Sequence, residues 1–394
     1  MSAILSQKGD LAAFRSAMRE WLGRVVPSDW RENVAGDDDA LVDLQRWWLA
    51  ERAKVGLATA HWPIEYGGEG LEQAHQIIIA EEFARADAPP LRLFNVSMTH
   101  LPSTLIAWGS DYQKKRYLPG VAQGTVWCQG FSEPNAGSDL AALRTRAVRD
   151  GEDYVINGQK IWSSHSPHAD YCILLARTDP DAPRKQAGIS FFLLDMRSPG
   201  VEVRPIRQAT GSSEFAEVFL TDVRINAIER VGEENQGWTV AQTTLTSERG
   251  LYAFEIAERQ RHWIERFHCR ALQDDADWLK DDALRREFMG LFAEAQAGRR
   301  LLRKLLRQHD APSTDRRSAM RSLFIKLTAS QLGQRIADFT VRASGLDGQR
   351  GDKSRISPGA PMFDFMNSFT FTIGGGTNDI IRNLIAERGL ELPK

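Results

Sequence analysis

The sequence predicts an α+β chain in which a helical region, a small antiparallel β-domain and a second helical region follow one another. Apolar residues recur at helical spacing as far as about Gly124, after which short alternating runs are separated by Asp, Pro and Gly turns. The helical spacing returns at Gly237 and continues to Glu391. Because single hydrophobic cores stop growing well below 394 residues, we expect several domains. We place them at residues 1–125, 126–235 and 236–394.

Amphipathic patterns define the predicted helices on both sides of the β-domain. In the first helix, Phe14, Met18 and Trp21 fall on one face. A row of arginines at 299–307 lies on a C-terminal helix, and we expect it to be solvated or to face another subunit. The predicted helices cover residues 11–22, 41–54, 72–86, 101–108, 283–308 and 318–343.

A hairpin signal and several turn residues predict the β-domain. Asn157 followed by Gly158 is the strongest short hairpin signal, and the pair separates apolar runs at 154–156 and 159–162. Further short strands are predicted at residues 171–176, 189–194, 201–206 and 216–225.

Composition excludes several classes of partner. The 50 lysines and arginines nearly balance the 52 aspartates and glutamates, so no excess positive charge is available for nucleic acid or an anionic membrane. No apolar run is long enough for a membrane span. Cys128, Cys172 and Cys269 are odd in number and widely spaced, which favours free thiols in a reducing cytoplasm over disulfides or a metal site.

Residues 127–139 (WCQGFSEPNAGSD) form a candidate ligand cradle. Its apolar lead-in stops at Pro134, and Gly137 lets the main chain approach a bound group closely. Ser132 and Ser138 supply hydroxyls that can donate to ring nitrogens, carbonyls or phosphate oxygens. Taken alone, the segment fits an ordinary Pro-Gly loop with two solvated serines equally well.

Two further segments carry groups suited to the same ligand. In residues 157–164 (NGQKIWSS), the Trp162 indole offers a flat apolar face beside two hydroxyls, although a lone tryptophan is more often a core or interface residue. In residues 373–380 (IGGGTNDI), three glycines before a helix leave free N–H groups at its positive dipole end. The alternative there is a flexible hinge with Thr377 or Asn378 as the N-cap.

Together, the segments at 128–139, 157–164 and 375–383 (GGTNDIIRN) resemble the signature segments of the acyl-CoA dehydrogenase family, in the family's order and spacing. The similarity extends from about Phe14 to Gly389. Members of that family bind FAD and oxidise an acyl thioester to the 2,3-enoyl thioester. The resemblance implies a helical N-terminal domain, a middle antiparallel β-barrel-like domain and a C-terminal four-helix-bundle domain, in agreement with the α+β pattern.

The resemblance also implies roles for individual residues. Ser132 falls where the family places a hydroxyl near the flavin N5, and Ser138 matches a serine that meets the CoA part of the substrate. The Gly375 N–H matches a donor to the thioester oxygen. Thr377 and Asp379 match residues near the pyrophosphate and adenosine of the cofactor. The implied cofactor-binding residues are Gln129, Phe131, Ser132, Trp162, Ser164, Thr377 and Asp379.

The catalytic base is predicted at Glu248. Many members carry the catalytic glutamate at the position of Gly375, which has no proton acceptor here. Isovaleryl-CoA dehydrogenase and other members for branched or bulky acyl groups place it on the first helix of the C-terminal domain, where Glu248 falls. Independently, Leu245, Glu248 and Tyr252 lie three and four residues apart, so Glu248 is on an apolar stripe where a base is partly desolvated. Spacing alone fits a buried ion pair as well. Arg249 is expected to orient the substrate.

One departure from the family affects the expected assembly. Residues 264–271 (IERFHCRA) stand where many relatives carry an Arg-x-Phe-Gly segment that reaches FAD across a subunit interface. We therefore expect an unusual cofactor contact in a homodimer, a homotetramer or a heterotetramer with a related chain.

The sequence thus predicts a cytoplasmic, FAD-dependent acyl-CoA dehydrogenase of lipid or steroid catabolism, acting on a bulky, branched or ring-bearing acyl-CoA. Its expected electron acceptor is an electron-transfer flavoprotein. A flavin monooxygenase or nitroalkane oxidase on the same scaffold is the alternative enzyme. A structural subunit of a heteromeric dehydrogenase is the non-enzymatic alternative.

Overall fold

The computed structural model describes residues 2–247, 251–307, 316–350 and 357–393, and their order confirms the predicted fold class. No helix within these ranges is long and apolar enough to cross a membrane. The helices are α1 Leu11–Val25, α2 Trp30–Asn33, α3 Asp38–Lys54, α4 Gln73–Arg85, α5 Leu101–Trp108, α6 Asp111–Ala122, α7 Gly237–Ser247, α8 Leu251–Gln273, α9 Asp282–Arg307, α10 Arg316–Ala343, α11 Gly345–Gln349, α12 Pro361–Ile373 and α13 Asn378–Leu384. The strands are β1 Trp127–Gly130, β2 Arg146–Asp150, β3 Asp153–Ser164, β4 Tyr171–Arg177, β5 Ile189–Asp195, β6 Val201–Ile206, β7 Phe215–Asn226 and β8 Arg230–Val231.

The chain divides into two compact units. Helices from both ends of the sequence share the first unit, and the sheet lies in the second. The first unit consists of Met1–Leu41, Leu71–Pro89 and Glu248–Lys394, and the second of Val42–Gly70 and Pro90–Ser247.

Local sequence explains the helices of the first unit. Asp10 caps α1, because its carboxylate accepts from the Ala12 and Ala13 amides at 2.8 and 3.2 Å. The apolar stripe of α1 is buried, as the spacing predicted. In α8 to α10, Ile264, Leu291 and other apolar side chains meet in one cluster with Ile336 and Phe339.

The sheet of the second unit has the strand order β6-β7-β3-β2-β4-β5-β8, and β1 pairs with β4. Most pairs are antiparallel, but β1 runs parallel to β4, and β2 meets β4 in a parallel register at Arg146 and Arg177. Alternate side chains point to opposite faces of a strand. Ile173 therefore packs with Trp127 and the α5 helix in one cluster, whereas Cys172 and Leu174 lie in a second cluster with Cys128.

The hairpin predicted at Asn157 and Gly158 is wrong. These two residues lie inside β3, a single strand of 12 residues that pairs with both β2 and β7. The Asn157 side chain bonds to Asp222 across the sheet instead of closing a turn. A Cβ at position 158 would lie 2.4 Å from Thr145 Oγ1, so Gly158 serves a close backbone approach. The actual turn, between β2 and β3, contains Gly151.

Of the arginines expected to be solvated or to face another subunit, Arg300 is exposed as predicted, but the prediction is wrong at Arg299 and Arg303, which are half-buried and pair with buried carboxylates. The Arg307 side chain lies outside the described residues. Arg299 donates to the buried Glu258 and, at 3.0 Å, to Glu81. Arg303 lies 3.1 Å from the same Glu81 carboxylate. Buried carboxylates on other helices attract these guanidinium groups inward, and periodicity along one helix does not reveal them.

Candidate active site

The cradle begins where β1 ends. A Cβ at Gly130 would lie 2.9 Å from Cys172 Sγ and 3.0 Å from Leu174 Cδ1, so only glycine fits beside β4. The next side chain, Phe131, is buried and meets Phe191 edge-to-face at 5.9 Å. Ser132 follows at the half-buried surface. The strand end therefore fixes where the Ser132 hydroxyl emerges.

Beyond Ser132 the chain makes a tight turn. The Glu133 and Ala136 backbones bond to each other in both directions, at 3.2 and 3.0 Å. This turn leaves Pro134 exposed at its tip and leads to Ser138, whose side chain is also exposed. The Ser138 hydroxyl is thus available to a ligand, as the cradle hypothesis requires.

The second predicted segment is a bulge in β3. The β3–β7 register shifts between Lys160 and Ser163, and Trp162 adopts a left-handed conformation with φ of 62°. His165 is also left-handed, with φ of 55°. A non-glycine residue pays about 1 kcal/mol or more for this conformation, and such strain concentrates at functional sites.

The bulge turns the Trp162 indole outward. Trp162 is 56% exposed, which is unusual for so large an apolar group, and its ring meets the edge of Phe215, at 6.3 Å between centroids. Ser164 pairs with Phe215 in the ladder and is half-buried. An open indole face beside a hydroxyl can receive a planar heterocycle.

The structure brings these two segments together. The Ile161 amide donates to the Ser132 carbonyl at 2.9 Å. Lys160, which precedes it, is fully buried and donates to the Glu133 carboxylate at 2.8 Å. Sequence reasoning singled out neither Lys160 nor Glu133, because nothing in a spacing of 27 residues indicates that two side chains will pair.

The glycine segment precedes α13 and is exposed. Gly375 and Gly376 are left-handed, with φ of 67° and 91°, whereas Gly374 has an ordinary φ of −64°. Thr377 is the N-cap, because its hydroxyl accepts from the Ile380 amide at 3.2 Å. The alternative of an N-cap at Thr377 is therefore correct, and it is compatible with a ligand at the glycine amides.

Two residues of α10 hold the end of the glycine segment, and sequence reasoning missed both. Lys326 donates to the Gly376 carbonyl at 2.7 Å and to Asn378 Oδ1 at 2.8 Å. Ser330 donates to the same Asn378 oxygen at 3.0 Å. Their spacing of four residues, which puts them on one helix face, was the available signal.

The predicted site residues fall in different parts of the chain. Asp379 is exposed and pairs with Arg382 at 2.6 Å, in the turn after the glycines. Glu248 and Arg249 lie outside the described residues. In the second unit lie Gln129, Phe131, Ser132, Ser138, Trp162 and Ser164, and in the first lie Gly375, Thr377 and Asp379.

Residues 264–271, which stand in place of the Arg-x-Phe-Gly segment, lie on α8 with one face in the helical core and with Cys269 exposed. Ile264 and Ala271 are buried within α8, and Phe267 stacks on Trp278 at 5.8 Å. Arg266 pairs with Asp87 at 2.9 Å. These side chains are engaged within their own unit.

Comparison with known proteins gives one family along nearly the whole chain. Models of the N-terminal, middle and C-terminal domains of acyl-CoA dehydrogenases match residues 9–125, 128–223 and 235–390. The chain is 36% identical to acyl-CoA dehydrogenase IpdE1 of Mycobacterium tuberculosis, over 98% of both proteins.

Solved structures are also similar to the chain over nearly its whole length. The Tcur3481-Tcur3483 steroid ACAD is similar with a TM-score of 0.84 and 29% identity, over 98% of each chain. The ChsE4-ChsE5 complex from Mycobacterium tuberculosis is similar with a TM-score of 0.78 and 28% identity, again over 98% of each chain.

Proposed function

The chain belongs to the acyl-CoA dehydrogenase family, and from that premise we propose that it holds FAD and dehydrogenates a bulky, branched or ring-bearing acyl-CoA at its α and β carbons. The observation that carries the proposal is the outward-facing Trp162 indole, held in a left-handed bulge of β3 directly after Ile161, whose amide donates to the Ser132 carbonyl. Indole and hydroxyl together provide a flat surface and a hydrogen-bond donor.

The residues present fit FAD. A flavin ring needs an apolar face and donors at its edge, and Trp162 with the half-buried Ser132 and Ser164 offers both. Gly130 carries no Cβ, and Phe131 is fixed in the core, so the cradle backbone is rigid where Gln129 and Ser132 flank it. Thr377 and Asp379 would meet the pyrophosphate and adenosine end. Bound FAD supplies the acceptor for the hydrogen that leaves the β-carbon with its electron pair.

The remaining steps belong to the chain's own residues. Glu248 removes the α-proton, and Arg249 orients the substrate beside it. Negative charge then develops on the thioester oxygen, and the Gly375 amide donates to that oxygen. One such donor contributes a factor of about 10²–10³ to the rate. Ser138 holds the CoA part of the substrate at the exposed end of the cradle.

The glycine segment supports a bulky substrate. Residues 374–376 carry no side chains. Among the described residues, a Cβ built at Gly376 would meet Ile381 Cδ1 at an ordinary 3.6 Å, whereas one at Gly374 would lie 3.3 Å from the Thr370 carbonyl oxygen. Gly376 in particular therefore leaves room in the segment where many family members carry larger side chains. The similarity to a steroid ACAD supports a ring-bearing acyl group.

We further propose that the enzyme works as an oligomer with the cofactor at a subunit interface. The similarity to the ChsE4-ChsE5 complex supports a heterotetramer with a related chain over a homodimer or homotetramer. Arg266 and Phe267 are engaged within their own helical core, so the contact usually made by Arg-x-Phe-Gly falls to other residues.

An electron-transfer flavoprotein is the proposed electron acceptor, and the cytoplasm is the proposed location. The domain boundaries at 126 and 236 stay a prediction.

The test is flavin reduction by single-turnover mixing. The purified chain, co-expressed with any partner, should show the visible spectrum of oxidised flavin and bleach anaerobically with ring-bearing acyl-CoAs faster than with short straight ones. Glu248→Gln keeps the side-chain shape without the base, so it should bind FAD and substrate while bleaching falls at least about 10³-fold. Glu255→Gln, also on the C-terminal helices, is the matched control, because Glu255 is a half-buried carboxylate that pairs with Arg259 within α8.

Two results would contradict the proposal. Wild-type bleaching in Glu248→Gln would make that residue a structural carboxylate. A protein that gains no flavin when FAD and its partner are supplied would remove the enzymatic role. Rapid reaction of the reduced flavin with oxygen, coupled to product hydroxylation, would favour the monooxygenase alternative.

A further inference from the structure

A buried ion pair lies directly beneath the cradle. Lys160 has no exposed surface and Glu133 is 8% exposed, and Lys160 Nζ lies 2.8 Å from Glu133 Oε1. Burial lowers the pKa of Lys160, although the neighbouring carboxylate opposes that effect. Burial alone raises the pKa of Glu133, but the Lys160 charge and the hydrogen bonds outweigh it, so the pKa is below its ordinary value. Glu133 is therefore ionised at neutral pH.

Both side chains of the pair also make hydrogen bonds to the backbone. The Glu133 carboxylate accepts from the Arg144 amide at 2.6 Å and the Thr145 amide at 2.9 Å, in addition to Lys160. Lys160 Nζ also donates to the Phe131 carbonyl at 3.2 Å. Three sequence-distant segments, 131–133, 144–145 and 160, meet at these two side chains.

The contacts follow a regular order along the cradle. The Phe131 carbonyl accepts from the Lys160 ammonium, the Ser132 carbonyl from the Ile161 amide, and the Glu133 carboxylate from the Lys160 ammonium again. Residues 131–133 of the cradle are thus all bonded to β3, through Lys160 and Ile161. The bulge that turns Trp162 outward begins at the next position.

Stability alone does not explain this arrangement. Removing two charges from water costs as much as their attraction returns, and replacing a buried ion pair by apolar residues of similar volume is often neutral or stabilising. An apolar pair would fill the space, but it would not bond to the Phe131 carbonyl or to the Arg144 and Thr145 amides. What the ion pair adds is a fixed geometry between the cradle and the bulge.

We propose that Lys160 and Glu133 are positioning residues that set the Ser132 hydroxyl and the Trp162 indole at the separation which FAD requires. This inference rests on the proposed function, because it takes FAD as the ligand of the cradle. The pair is buried and is not expected to touch cofactor or substrate itself. It acts by fixing the backbone of Ser132 and Trp162, the residues that would contact FAD.

The decisive variant is the double replacement Lys160→Met with Glu133→Leu, compared with each single change. Lys160→Met leaves the buried Glu133 carboxylate without its cationic partner and should lower the melting temperature by about 5 °C. The double variant removes both charges and should regain part of that loss, because the Arg144 and Thr145 amides are still left without their acceptor. It should still raise the FAD dissociation constant at least about tenfold and shift the visible spectrum and midpoint potential of the bound flavin. A double variant with the wild-type dissociation constant and spectrum would overturn the proposal.

Glu133→Gln keeps the test decisive if the double variant does not fold. The Arg144 amide donates to Oε2 and the Thr145 amide to Oε1, so a glutamine, which has one oxygen, can accept from only one of them. Lys160 also loses its anionic partner and can lose its proton, because burial already lowers its pKa. FAD binding within about twofold of the wild type in this variant would also overturn the proposal. Arg224→Met, which breaks an exposed ion pair with Asp150 in the same sheet, is the matched control and should change neither binding nor spectrum. A wild-type chain that binds no FAD at all would instead refute the proposed function.

Discussion

Glu82 offers a quantitative test of how the first unit is held together. Its side chain is 1% exposed on α4, and its carboxylate accepts from three guanidinium groups. Arg15 lies at 2.6 Å and Arg19 at 2.9 Å, both on α1, and Arg85 lies at 2.7 Å on α4 itself. Glu82→Gln keeps the size of the side chain and removes the charge that holds α1 against α4.

The size of the effect follows from the pKa. Burial by itself raises the pKa of Glu82, but the hydrogen bonds from Arg19, Arg85 and Arg15 outweigh it and lower the pKa from 4.5 to about 2. That difference corresponds to about 3 kcal/mol in the free energy of unfolding. Because the folded pKa is the lower one, the contribution is complete above pH 4.5 and is lost as the pH falls toward 2.

The assay is denaturant unfolding of the wild type and Glu82→Gln over a range of pH. The variant should be less stable by about 3 kcal/mol near pH 7, and the difference should fall to about half near pH 3. Glu20→Gln is the control, because Glu20 pairs with Arg24 at an exposed position of α1. A difference below about 1 kcal/mol at neutral pH, or one that grows on acidification, would refute the reasoning.

Two further predictions concern the glycine segment. Gly375→Ala and Gly376→Ala force a Cβ into left-handed backbone and should each lower the free energy of unfolding by about 1–2 kcal/mol. Gly374→Ala has an ordinary φ of −64° but places its Cβ 3.3 Å from the Thr370 carbonyl oxygen, so its loss should be smaller than at the other two positions but not zero. Equal losses at all three positions in denaturant unfolding would contradict the backbone argument. Lys326→Met removes the bonds to the Gly376 carbonyl and Asn378, so amide hydrogen exchange at Ile380 and Ile381, whose amides bond to Thr377, should accelerate at least about tenfold. Unchanged exchange in Lys326→Met would show that the segment is held by other contacts.

The sequence predicts those parts of the fold that depend on local periodicity. The long helices α9 and α10 lie within two residues of their predicted bounds, because an apolar stripe at helical spacing needs no distant partner to be recognised. The parallel pairing of β1 with β4 was missed, since Cys128 and Cys172 become neighbours only after some 40 residues of intervening chain have folded. The same limitation explains the wrong hairpin prediction at Asn157, because its side chain bonds to Asp222 on the paired strand β7.

The candidate site likewise contains residues that local sequence predicts and contacts that it does not. Ser132, Trp162 and Gly375 stand in contiguous motifs, and a motif can be read without knowing the fold. Lys160 and Glu133 stand in the same motifs, yet their contact depends on the close approach of two segments and was not foreseen. Whether a charged side chain is buried depends on partners that only tertiary structure supplies.

The left-handed turn at Trp162 has a consequence for the strength of ligand binding. Trp162 and His165 both adopt a rarely populated backbone conformation, which is held by the pairing of Ser163 and Ser164 with β7 and by the bond from the His165 amide to the Glu214 carbonyl. The conformational entropy of the turn is therefore lost when the protein folds and not when the ligand arrives. A preorganised surface of this kind retains more of its contact energy as affinity, because no loop has to be ordered on association.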